Sequence, residues 1–388
     1  MSRPQRLFLI AGENSGDQPG GKLVKRILEM RPDWELAGLG GPHMEAAGMR
    51  LLRNMVNDLA IVGLFEVVTK APQLFSVYRK VKDHLTREKP DAVILIDYPG
   101  FNLLLVAPLA KKLGIRVLYY IMPQVWAWHR SRIRKFKKYC DLMIPILPFE
   151  EKILRQEGIK ASYLGNPKVD LMILTQTREQ VFAQLGLDPA RKLIGMMPGS
   201  RKREVRALLP VMLDAAQRLL AVRDDVQFVL LRNETTPRDL IDSYIDEYDV
   251  PVTIVERQRY NVRAAMDFSW VKSGTSTLEG ALVGVPFVIV YKVNYFTAWI
   301  ARRLLSTPFV GLPNIIAGDL VVPELLQGRA TGQNLADQAQ HYLENREAYE
   351  QMKDQLAKIR ELLGTPGSSE RTAEAIVEIL EQGAKRQA

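Results

Sequence analysis

The amino-acid sequence predicts an α/β protein with two Rossmann-like domains, because short apolar runs alternate with amphipathic stretches and this alternation restarts near the middle of the chain. The runs are unbroken, as they are in parallel strands that are buried on both faces. A chain of 388 residues is also too long for one ordinary core. We therefore expect two parallel sheets that face a central cleft, with ligands bound beyond the carboxyl ends of the strands.

The same pattern divides the chain into an N-terminal domain over 1–168, a C-terminal domain over 169–335 and a polar helical tail over 336–388. The candidate strands of the N-terminal domain are 6–11, 35–39, 92–96, 117–121, 142–146 and 162–164. Those of the C-terminal domain are 193–197, 226–231, 252–255, 268–272 and 287–291. Helical patterns lie between them, for example at 21–31, 102–112, 203–221 and 276–282.

Composition and charge narrow the functional classes. The net charge of +9 favours an anionic partner, such as a phosphate, an acidic lipid or a nucleic acid. The single cysteine, Cys140, excludes an internal disulfide and fits a reducing compartment. The first apolar run, 7–11, is too short for a signal peptide, and no stretch approaches the roughly 18 apolar residues of a membrane span. Any membrane contact is therefore expected to be peripheral.

A polar, glycine-containing segment follows the first predicted strand and precedes a helix. Glycines let the backbone approach a ligand closely, and a helix N-terminus favours anions. The alternative is a tight strand-to-helix turn that its own polar residues cap, since capping uses the same residue types. As a candidate acceptor or cleft loop, the segment supplies Glu13, Asn14, Ser15, Gly16 and Asp17.

An acid, Asp97, stands at the end of the third predicted strand of the N-terminal domain. A carboxylate at the mouth of an α/β strand is well placed to transfer protons, so Asp97 is a candidate general base. The alternative is that Asp97 caps the loop around Pro99 and Gly100, because Asp is a common turn residue.

Two tryptophans, Trp126 and Trp128, follow the next predicted strand and are followed by a basic stretch over 130–138. The rings are candidates for a platform under a sugar or an acyl chain, and the basic stretch is a candidate surface for an anion. The alternative is a solvated basic helix face.

The stretch 61–81 is apolar on more than one side of a helix. Such a helix is either deeply buried or faces a membrane. Burial in the core is the commoner arrangement and remains the alternative here. The candidate membrane residues are Leu64, Phe65, Val68 and Phe75.

Two loops of the C-terminal domain resemble phosphate-binding turns. The first follows strand 193–197 with Gly199, Ser200 and Arg201, which suit a diphosphate because a glycine and a helix entrance stand beside an arginine. The second follows strand 268–272 and leads into a helix. One turn into that helix lies Glu279, whose carboxylate could accept hydrogen bonds from ribose hydroxyls. Each loop alone is explained equally well as a turn, but two at successive strand ends indicate a nucleotide site. The second loop comprises Ser273, Gly274, Thr275 and Ser276.

The sequence gives no indication of a metal site or a cofactor. The four histidines do not pair with cysteines or carboxylates at metal-ligand spacing, and there is no Asp-x-Asp triplet to chelate a metal–diphosphate. We therefore expect chemistry that needs neither.

Taken in order from residue 12 to about residue 326, these motifs resemble the lipid-A-disaccharide synthase family. No single motif is specific, but the combination is. The segments that carry the resemblance are residues 12–17, Asp97-Tyr98-Pro99 with Phe101-Asn102, Val125-Trp126-Ala127-Trp128, Leu147-Pro148-Phe149-Glu150, Pro198-Gly199-Ser200-Arg201, Ser273-Gly274-Thr275 with Leu278-Glu279, and Leu312-Pro313-Asn314.

The resemblance implies a two-domain GT-B fold and an inverting glycosyl transfer. UDP-2,3-diacylglucosamine would donate its sugar to the 6-hydroxyl of 2,3-diacylglucosamine 1-phosphate, giving a β-1,6 disaccharide and UDP. It also implies a peripheral enzyme on the cytoplasmic face of the inner membrane of a Gram-negative bacterium. Members of the family can form homodimers that exchange C-terminal segments.

The resemblance also implies roles for individual residues. Asp97 becomes the general base, with Glu13 and Asp17 in reserve, and the stretch 61–81 becomes a membrane or acyl-chain surface. The donor contacts become Arg201, Ser273, Gly274, Thr275, Ser276, Glu279 and Asn314. The chain departs from the family pattern at Asn14, at Gly100 and at Asn166, which stands where His is common.

Three other functions remain open from the residues alone. The nearest is another GT-B enzyme acting on UDP-N-acetylglucosamine, such as a 2-epimerase or the peptidoglycan-precursor transferase. A lipid-binding protein without activity would not need the donor loops. A nucleic-acid binder would explain the charge, but the basic stretch lacks the aromatic strand pattern of RNA-binding modules, so we expect no nucleic-acid partner.

Overall fold

The computed structural model describes residues 4–55, 71–123, 131–233, 236–256, 259–293 and 307–385. Contacts divide the chain into two compact units. The first unit comprises Met1–Leu171 and Leu363–Ala388, and the second comprises Met172–Leu362. The expected tail over 336–388 is therefore divided between the two units, because the last helix of the chain packs on the first helix and belongs to the first unit.

The first unit contains a parallel sheet with the strand order β3-β2-β1-β4-β5-β6 in the described residues. Its strands are β1 (Arg6–Ala11), β2 (Glu35–Gly40), β3 (Arg50–Asn54), β4 (Ala92–Ile96), β5 (Arg116–Tyr120) and β6 (Leu142–Ile144). Its helices are α1 (Asn14–Met30), α2 (Pro42–Ala46), α3 (Ala71–Glu88), α4 (Pro99–Phe101), a π-helix (Asn102–Val106), α5 (Ala107–Lys112), α6 (Ser131–Tyr139), α7 (Pro148–Gln156), α8 (Pro167–Leu171) and, from the end of the chain, α17 (Ser368–Lys385).

One face of this sheet is covered by α1 together with α17. Leu23 and Ile27 of α1 and Ile376 of α17 are all fully buried in the same core cluster. Fully burying a side chain of this size contributes about 1.5–3 kcal/mol relative to leaving it exposed. The chain therefore returns from the second unit to complete the core of the first.

The second unit repeats the architecture, with the strand order β12-β11-β10-β7-β8-β9 in the described residues, again all parallel. Its strands are β7 (Lys192–Met197), β8 (Val226–Leu231), β9 (Val252–Val255), β10 (Phe268–Lys272), β11 (Phe287–Tyr291) and β12 (Glu324–Leu326). Its helices are α9 (Arg178–Leu185), α10 (Lys202–Leu220), α11 (Arg238–Tyr248), α12 (Arg259–Ala264), α13 (Thr275–Val283), α14 (Leu312–Ala317), a 3₁₀ turn (Gln327–Arg329), α15 (Gly332–Glu344) and α16 (Arg346–Leu362).

The core of the second unit forms where α10 and α15 pack together beside the sheet. Trp270 of β10 is fully buried there, and its indole N–H donates a 3.1 Å hydrogen bond to the carbonyl of Leu335. Because the one polar atom of the ring is satisfied, the whole side chain contributes to apolar packing without an unpaired donor.

Strand register places Glu13, Asp97 and the two predicted donor loops at the carboxyl edges of the two sheets. Ala11 of β1 is level with Ile96 of β4, so the chain leaves both strands at the same height. In the second unit Met197 of β7 is level with Val271 of β10, which brings the two predicted donor loops side by side. This is the edge where parallel sheets bind ligands.

The structure corrects three expectations about elements. The predicted strand 162–164 is wrong, because beside the short β6 only an isolated bridge between Met143 and Ala161 forms. The sequence did not predict β3 or β12, which are edge strands that pair on one side in the described sheets and carry polar residues. The first helix begins at Asn14 rather than near 21, because Glu13 is extended and the chain turns directly into the helix.

None of the helices in the described part of the chain is long and apolar enough to span a membrane.

Candidate active site

The carboxyl edge of the first unit's sheet brings together two acids, Asp97 after β4 and Glu13 after β1. Burial and, after it, the charge of the Glu13 carboxylate raise the pKa of Asp97 to about 6, against a smaller lowering by the backbone N–H of Tyr98. A carboxylate with a pKa near 6 is still ionised at pH 7 and is a stronger base than an ordinary one. The site can therefore accept a proton at neutral pH.

The backbone at Asp97 is held in an unusual conformation. Asp97 and Tyr98 both have a φ of +49°, a left-handed conformation that costs non-glycine residues energy. The main-chain carbonyl of Asp97 accepts two hydrogen bonds, from the hydroxyl of Tyr119 at 2.7 Å and from Nδ2 of Asn102 at 2.8 Å. These donors fix the turn, and the turn fixes the direction of the carboxylate.

Asn102 also joins the ends of the two central strands. Its Nδ2 lies 3.4 Å from the carbonyl of Ile10 in β1 and 3.3 Å from that of Ile96 in β4. The side chain of Asn102 is fully buried. Asn102 is also the first residue of the π-helix, an irregularity that is frequent at functional sites. In the sequence, Asn102 is part of a family motif but has no assigned role. Its hydrogen bonds show that it positions the turn at Asp97.

The segment expected to form a loop at 14–17 is instead the first turn of α1. Asp17 is fully buried there, and its carboxylate accepts backbone N–H bonds from Gly41, His43 and Met44 at 2.7, 3.0 and 3.2 Å. These bonds tie the start of α2 to α1. Glu13, in contrast, is exposed and adds its charge to the Asp97 site. This geometry favours Glu13 over Asp17 as the reserve base.

The glycines of this motif serve packing within the protein. A Cβ added to Gly12 would lie 2.3 Å from Cγ of Tyr98, and one added to Gly16 would lie 3.3 Å from Cγ2 of Ile96. The ring of Tyr98 therefore occupies the space over Gly12 that the sequence assigned to a ligand. Burial, followed by the charge of Glu13, raises the pKa of Tyr98 to about 12, so its hydroxyl stays protonated.

Several predicted residues, namely Trp126, Trp128, Leu64, Phe65 and Val68, lie outside the described residues. Phe75 is described, and its side chain is 60% exposed on α3 while Val77 on the same helix is fully buried. The π-helix that contacts α3 adds two further exposed leucines, Leu104 and Leu105. The sequence did not single these leucines out, because exposure cannot be read from an apolar run.

In the second unit, the loop after β7 is closed by a carboxylate that the sequence did not predict. Oε2 of Glu204 accepts the backbone N–H groups of Ser200 and Arg201 at 3.2 and 3.3 Å, and the Arg201 guanidinium lies 3.8 Å from Oε1. Gly199 has a φ of +118°, and a Cβ there would lie 2.5 Å from Oε2 of Glu204. The loop predicted to bind a diphosphate therefore already contacts an anion of the protein, the carboxylate of Glu204.

The second predicted donor loop starts α13. Gly274 has a φ of +137° and precedes the helix, and the hydroxyl of Thr277 donates to its carbonyl at 2.7 Å. The hydroxyl of Ser273 donates to the carbonyl of Val310 at 3.1 Å. Thr275 and Ser276 occupy the first turn of the helix, where backbone N–H groups favour an anion.

Glu279 is held by two residues that the sequence did not single out. The Tyr260 hydroxyl lies 3.3 Å from Oε1, and Arg263, which is itself buried, lies 3.4 Å from Oε2. Arg263 also donates to the carbonyl of Ser276 at 2.9 Å, which links the carboxylate to the start of its own helix. These contacts orient the carboxylate of Glu279 at the carboxyl edge of the sheet.

Asn314 is fully buried and its amide is saturated by the protein. Nδ2 donates to the Val322 carbonyl and to Glu324 at 2.8 and 2.9 Å, while Oδ1 accepts the N–H groups of Val321 and Val322 at 2.9 and 2.8 Å. An amide has two donors and two acceptor positions, all of which are in use. This geometry makes Asn314 a support of the segment that follows α14 rather than a direct donor contact.

Solved structures with similar folds identify the class. The chain has a TM-score of 0.65 with the UDP-GlcNAc 2-epimerase from Neisseria meningitidis, at 14% identity over 96% of this chain and 99% of that one. With CalG4, the calicheamicin glycosyltransferase, the TM-score is 0.62 at 13% identity over 98% and 99%. The two parallel-sheet units, each with polar loops at the carboxyl edge, therefore have the GT-B fold.

Sequence comparison then identifies the family. The family model for lipid-A-disaccharide synthetase matches residues 7–379. The lipid-A-disaccharide synthase of Trichlorobacter lovleyi is 39% identical over 98% of this chain and 99% of its own, and that of Myxococcus xanthus is 38% identical over 99% and 100%. The chain belongs to the lipid-A-disaccharide synthetase family, whose members are glycosyltransferases that form the disaccharide of lipid A.

Proposed function

We propose that this protein transfers the sugar of UDP-2,3-diacylglucosamine to the 6-hydroxyl of 2,3-diacylglucosamine 1-phosphate, with inversion. The products are the β-1,6 disaccharide 1-phosphate and UDP. The family membership supports the reaction class, and the raised pKa of Asp97 supports the chemistry in particular.

In this proposal Asp97 is the general base. A neutral alcohol is a poor nucleophile, so the proton of the 6-hydroxyl must leave as the oxygen attacks the anomeric carbon. The carboxylate of Asp97 accepts that proton, and its pKa of about 6 makes the transfer more favourable than at an ordinary Asp. Tyr119 and Asn102 keep the turn that carries the carboxylate in place.

Departure of UDP is assisted separately by the second unit. As the bond to the anomeric carbon breaks, negative charge develops on the diphosphate. Arg201 and the N-terminus of α13 at Thr275 lie on neighbouring strand ends and supply positive charge there. Glu279 accepts hydrogen bonds from the ribose hydroxyls, with its orientation set by Tyr260 and Arg263.

We further propose that the enzyme works at the cytoplasmic face of the inner membrane as a peripheral protein. Both substrates carry acyl chains, and the exposed side chains of Phe75, Leu104 and Leu105 support an apolar surface for them. The basic face of α6 supports attraction to anionic lipid headgroups. The docking of α17 on the first unit also suits a homodimer in which C-terminal segments are exchanged.

The test is product analysis by mass spectrometry and NMR after incubation with both acylated substrates. We expect equimolar UDP and a disaccharide 1-phosphate whose anomeric proton has the coupling of a β linkage. Unacylated UDP-N-acetylglucosamine serves as the matched donor. Formation of an epimer from that donor, with no disaccharide from the acylated pair, would overturn the proposal in favour of a 2-epimerase.

A further inference from the structure

A lysine that none of the motifs includes lies between the two donor loops. Lys272 is the last residue of β10, and its ammonium Nζ is 3.0 Å from Oε1 of Glu204. The ring of Tyr291, at the end of the adjacent β11, lies 5.9 Å from the same nitrogen. The Lys272 side chain is only 19% exposed, so its charge is held at the carboxyl edge of the sheet rather than in bulk solvent.

Glu204 contacts three kinds of group that also bind diphosphates, namely backbone N–H groups, an arginine and a lysine. Its carboxylate accepts the N–H groups of Ser200 and Arg201, and it pairs with the cations of Arg201 and Lys272. Backbone N–H groups at a helix start together with an arginine and a lysine are the usual partners of phosphate oxygens. An anion that enters between the two loops therefore competes with Glu204 for the same groups.

We propose that Lys272 is a diphosphate-binding cation of the donor site and that Glu204 is the internal anion with which the diphosphate competes. This inference rests on the proposed function, since it assigns a further residue to the donor site. A lysine suits the exchange because its ammonium is a compact point charge on a flexible stem, which can turn from one anion to another. The ring of Tyr291 lies within the range of a cation–π contact and keeps the ammonium near the loops.

The proposal predicts opposite effects for the two members of the ion pair. Lys272→Gln removes a cation from the diphosphate, so UDP affinity should fall by roughly tenfold. Glu204→Gln removes the competing charge but keeps an oxygen that accepts the N–H groups of Ser200 and Arg201, so UDP affinity should rise. A pair that is merely structural would have both variants change UDP affinity in the same direction, because both lose the same contact.

The experiment is calorimetric titration of the full chain and its variants with UDP and with uridine. Lys192→Gln is the matched control, because Lys192 pairs with Asp267 at 3.7 Å from the opposite end of a strand in the same sheet and should leave UDP affinity unchanged. Uridine affinity should be the same in all variants, since uridine has no phosphate. Lys272→Arg keeps the charge and should retain most of the affinity for UDP.

The outcomes separate this inference from the proposed function. Opposite shifts for Lys272→Gln and Glu204→Gln support it. If the parent binds UDP and Lys272→Gln binds it equally well, or if both variants shift in the same direction, Lys272 has no diphosphate role and the proposed function stands. A folded parent that does not bind UDP overturns both.

Discussion

The hydroxyl of Tyr119 donates a 2.7 Å hydrogen bond to the main-chain carbonyl of Asp97, across neighbouring strands of the first unit's sheet. Tyr119 is fully buried, and its ring packs edge-on against Phe136 at 5.2 Å between centroids. The packed side chain of Tyr119 therefore stabilises the left-handed turn at Asp97 through this hydrogen bond. The next residue of β5, Tyr120, belongs to the core cluster under α17, on the opposite face of the same strand.

We expect Tyr119→Phe to lower kcat several-fold with little change in KM. The substitution keeps the ring packing and removes only the hydrogen bond to Asp97, which is worth about 1 kcal/mol. Tyr120→Phe is the matched control, because it removes a hydroxyl from an equally buried tyrosine that faces away from Asp97. Steady-state kinetics measure both variants. Equal losses of kcat in the two would show that Tyr119 acts through stability alone.

The pH dependence of kcat/KM should show a single acid limb with a midpoint at about pH 6. Below that pH the carboxyl of Asp97 is protonated and cannot accept a proton, so activity falls as pH falls through the pKa. Because the charge of Glu13 contributes to the raised pKa of Asp97, Glu13→Gln should move the midpoint to lower pH. A midpoint that stays in place in Glu13→Gln contradicts the coupling between the two acids.

Asp97→Asn should make the protein more stable above pH 7 while it lowers turnover by about 10²-fold or more. The folded-state pKa of Asp97 is about 6, above its ordinary 3.8, so the folded state loses stability as pH rises between these values. At neutral pH the partly buried charge costs about 1–3 kcal/mol, with the lower figure allowing for solvent screening. Asn avoids that cost and tolerates the left-handed backbone.

Urea unfolding at pH 7.5 and at pH 4 measures this effect. The stability gain of Asp97→Asn should be present at pH 7.5 and small at pH 4, where the parent carboxyl is largely protonated in the folded state. A variant that is less stable than the parent at both pH values would indicate that Asp97 only ties down its turn. Calorimetry should find UDP affinity unchanged, because Asp97 is not among the proposed donor contacts.

Asn314→Ala should reduce stability much more than it reduces the UDP affinity of the folded protein. The substitution leaves the N–H group of Val322 without its partner, at a cost of about 1–3 kcal/mol, and removes one hydrogen bond each from the Val321 N–H, the Val322 carbonyl and the Glu324 carboxylate. Asn345→Ala is the control, since Asn345 makes an exposed hydrogen bond to the N–H of Ala348 and should cost about 1 kcal/mol. A large loss of UDP affinity at unchanged stability would restore Asn314 as a direct donor contact.

Membrane binding should depend on the exposed apolar side chains of α3 and the π-helix. We expect the triple substitution of Phe75, Leu104 and Leu105 by Ser to reduce co-sedimentation with anionic vesicles, because these side chains would otherwise bury apolar area in the lipid interface. Val222→Ser with Leu320→Ser is the control, because both residues are apolar positions of the second unit that are at least as exposed as Leu104 and Leu105. Equal losses in the two sets would contradict a specific surface.

The predicted strands of both sheets were confirmed where the apolar run is long and buried. Strands β1, β4, β8, β9, β10 and β11 were predicted to the residue. Burial on both faces of a parallel sheet requires an unbroken apolar segment, and that requirement is visible in one chain. The edge strands β6 and β9 have apolar sequences and were predicted, although β9 is only partly buried. The edge strands β3 and β12 were not predicted, because three of the five residues of β3 are polar and β12 has only three residues.

By itself, the sequence determined the two-unit α/β architecture and the strand ends at which Asp97, Arg201 and the segment Ser273 to Ser276 lie. It did so because hydrophobic period and turn residues are local properties.

Only the tertiary structure decided which polar groups are already in use. Asp17 and Glu13 are four residues apart, yet Asp17 accepts three N–H groups at the start of α2 while Glu13 raises the pKa of Asp97. Glu204 likewise meets Lys272 from a strand far along the chain. The number of hydrogen bonds that a carboxylate can accept is limited, and which donors fill them depends on contacts between segments distant in sequence.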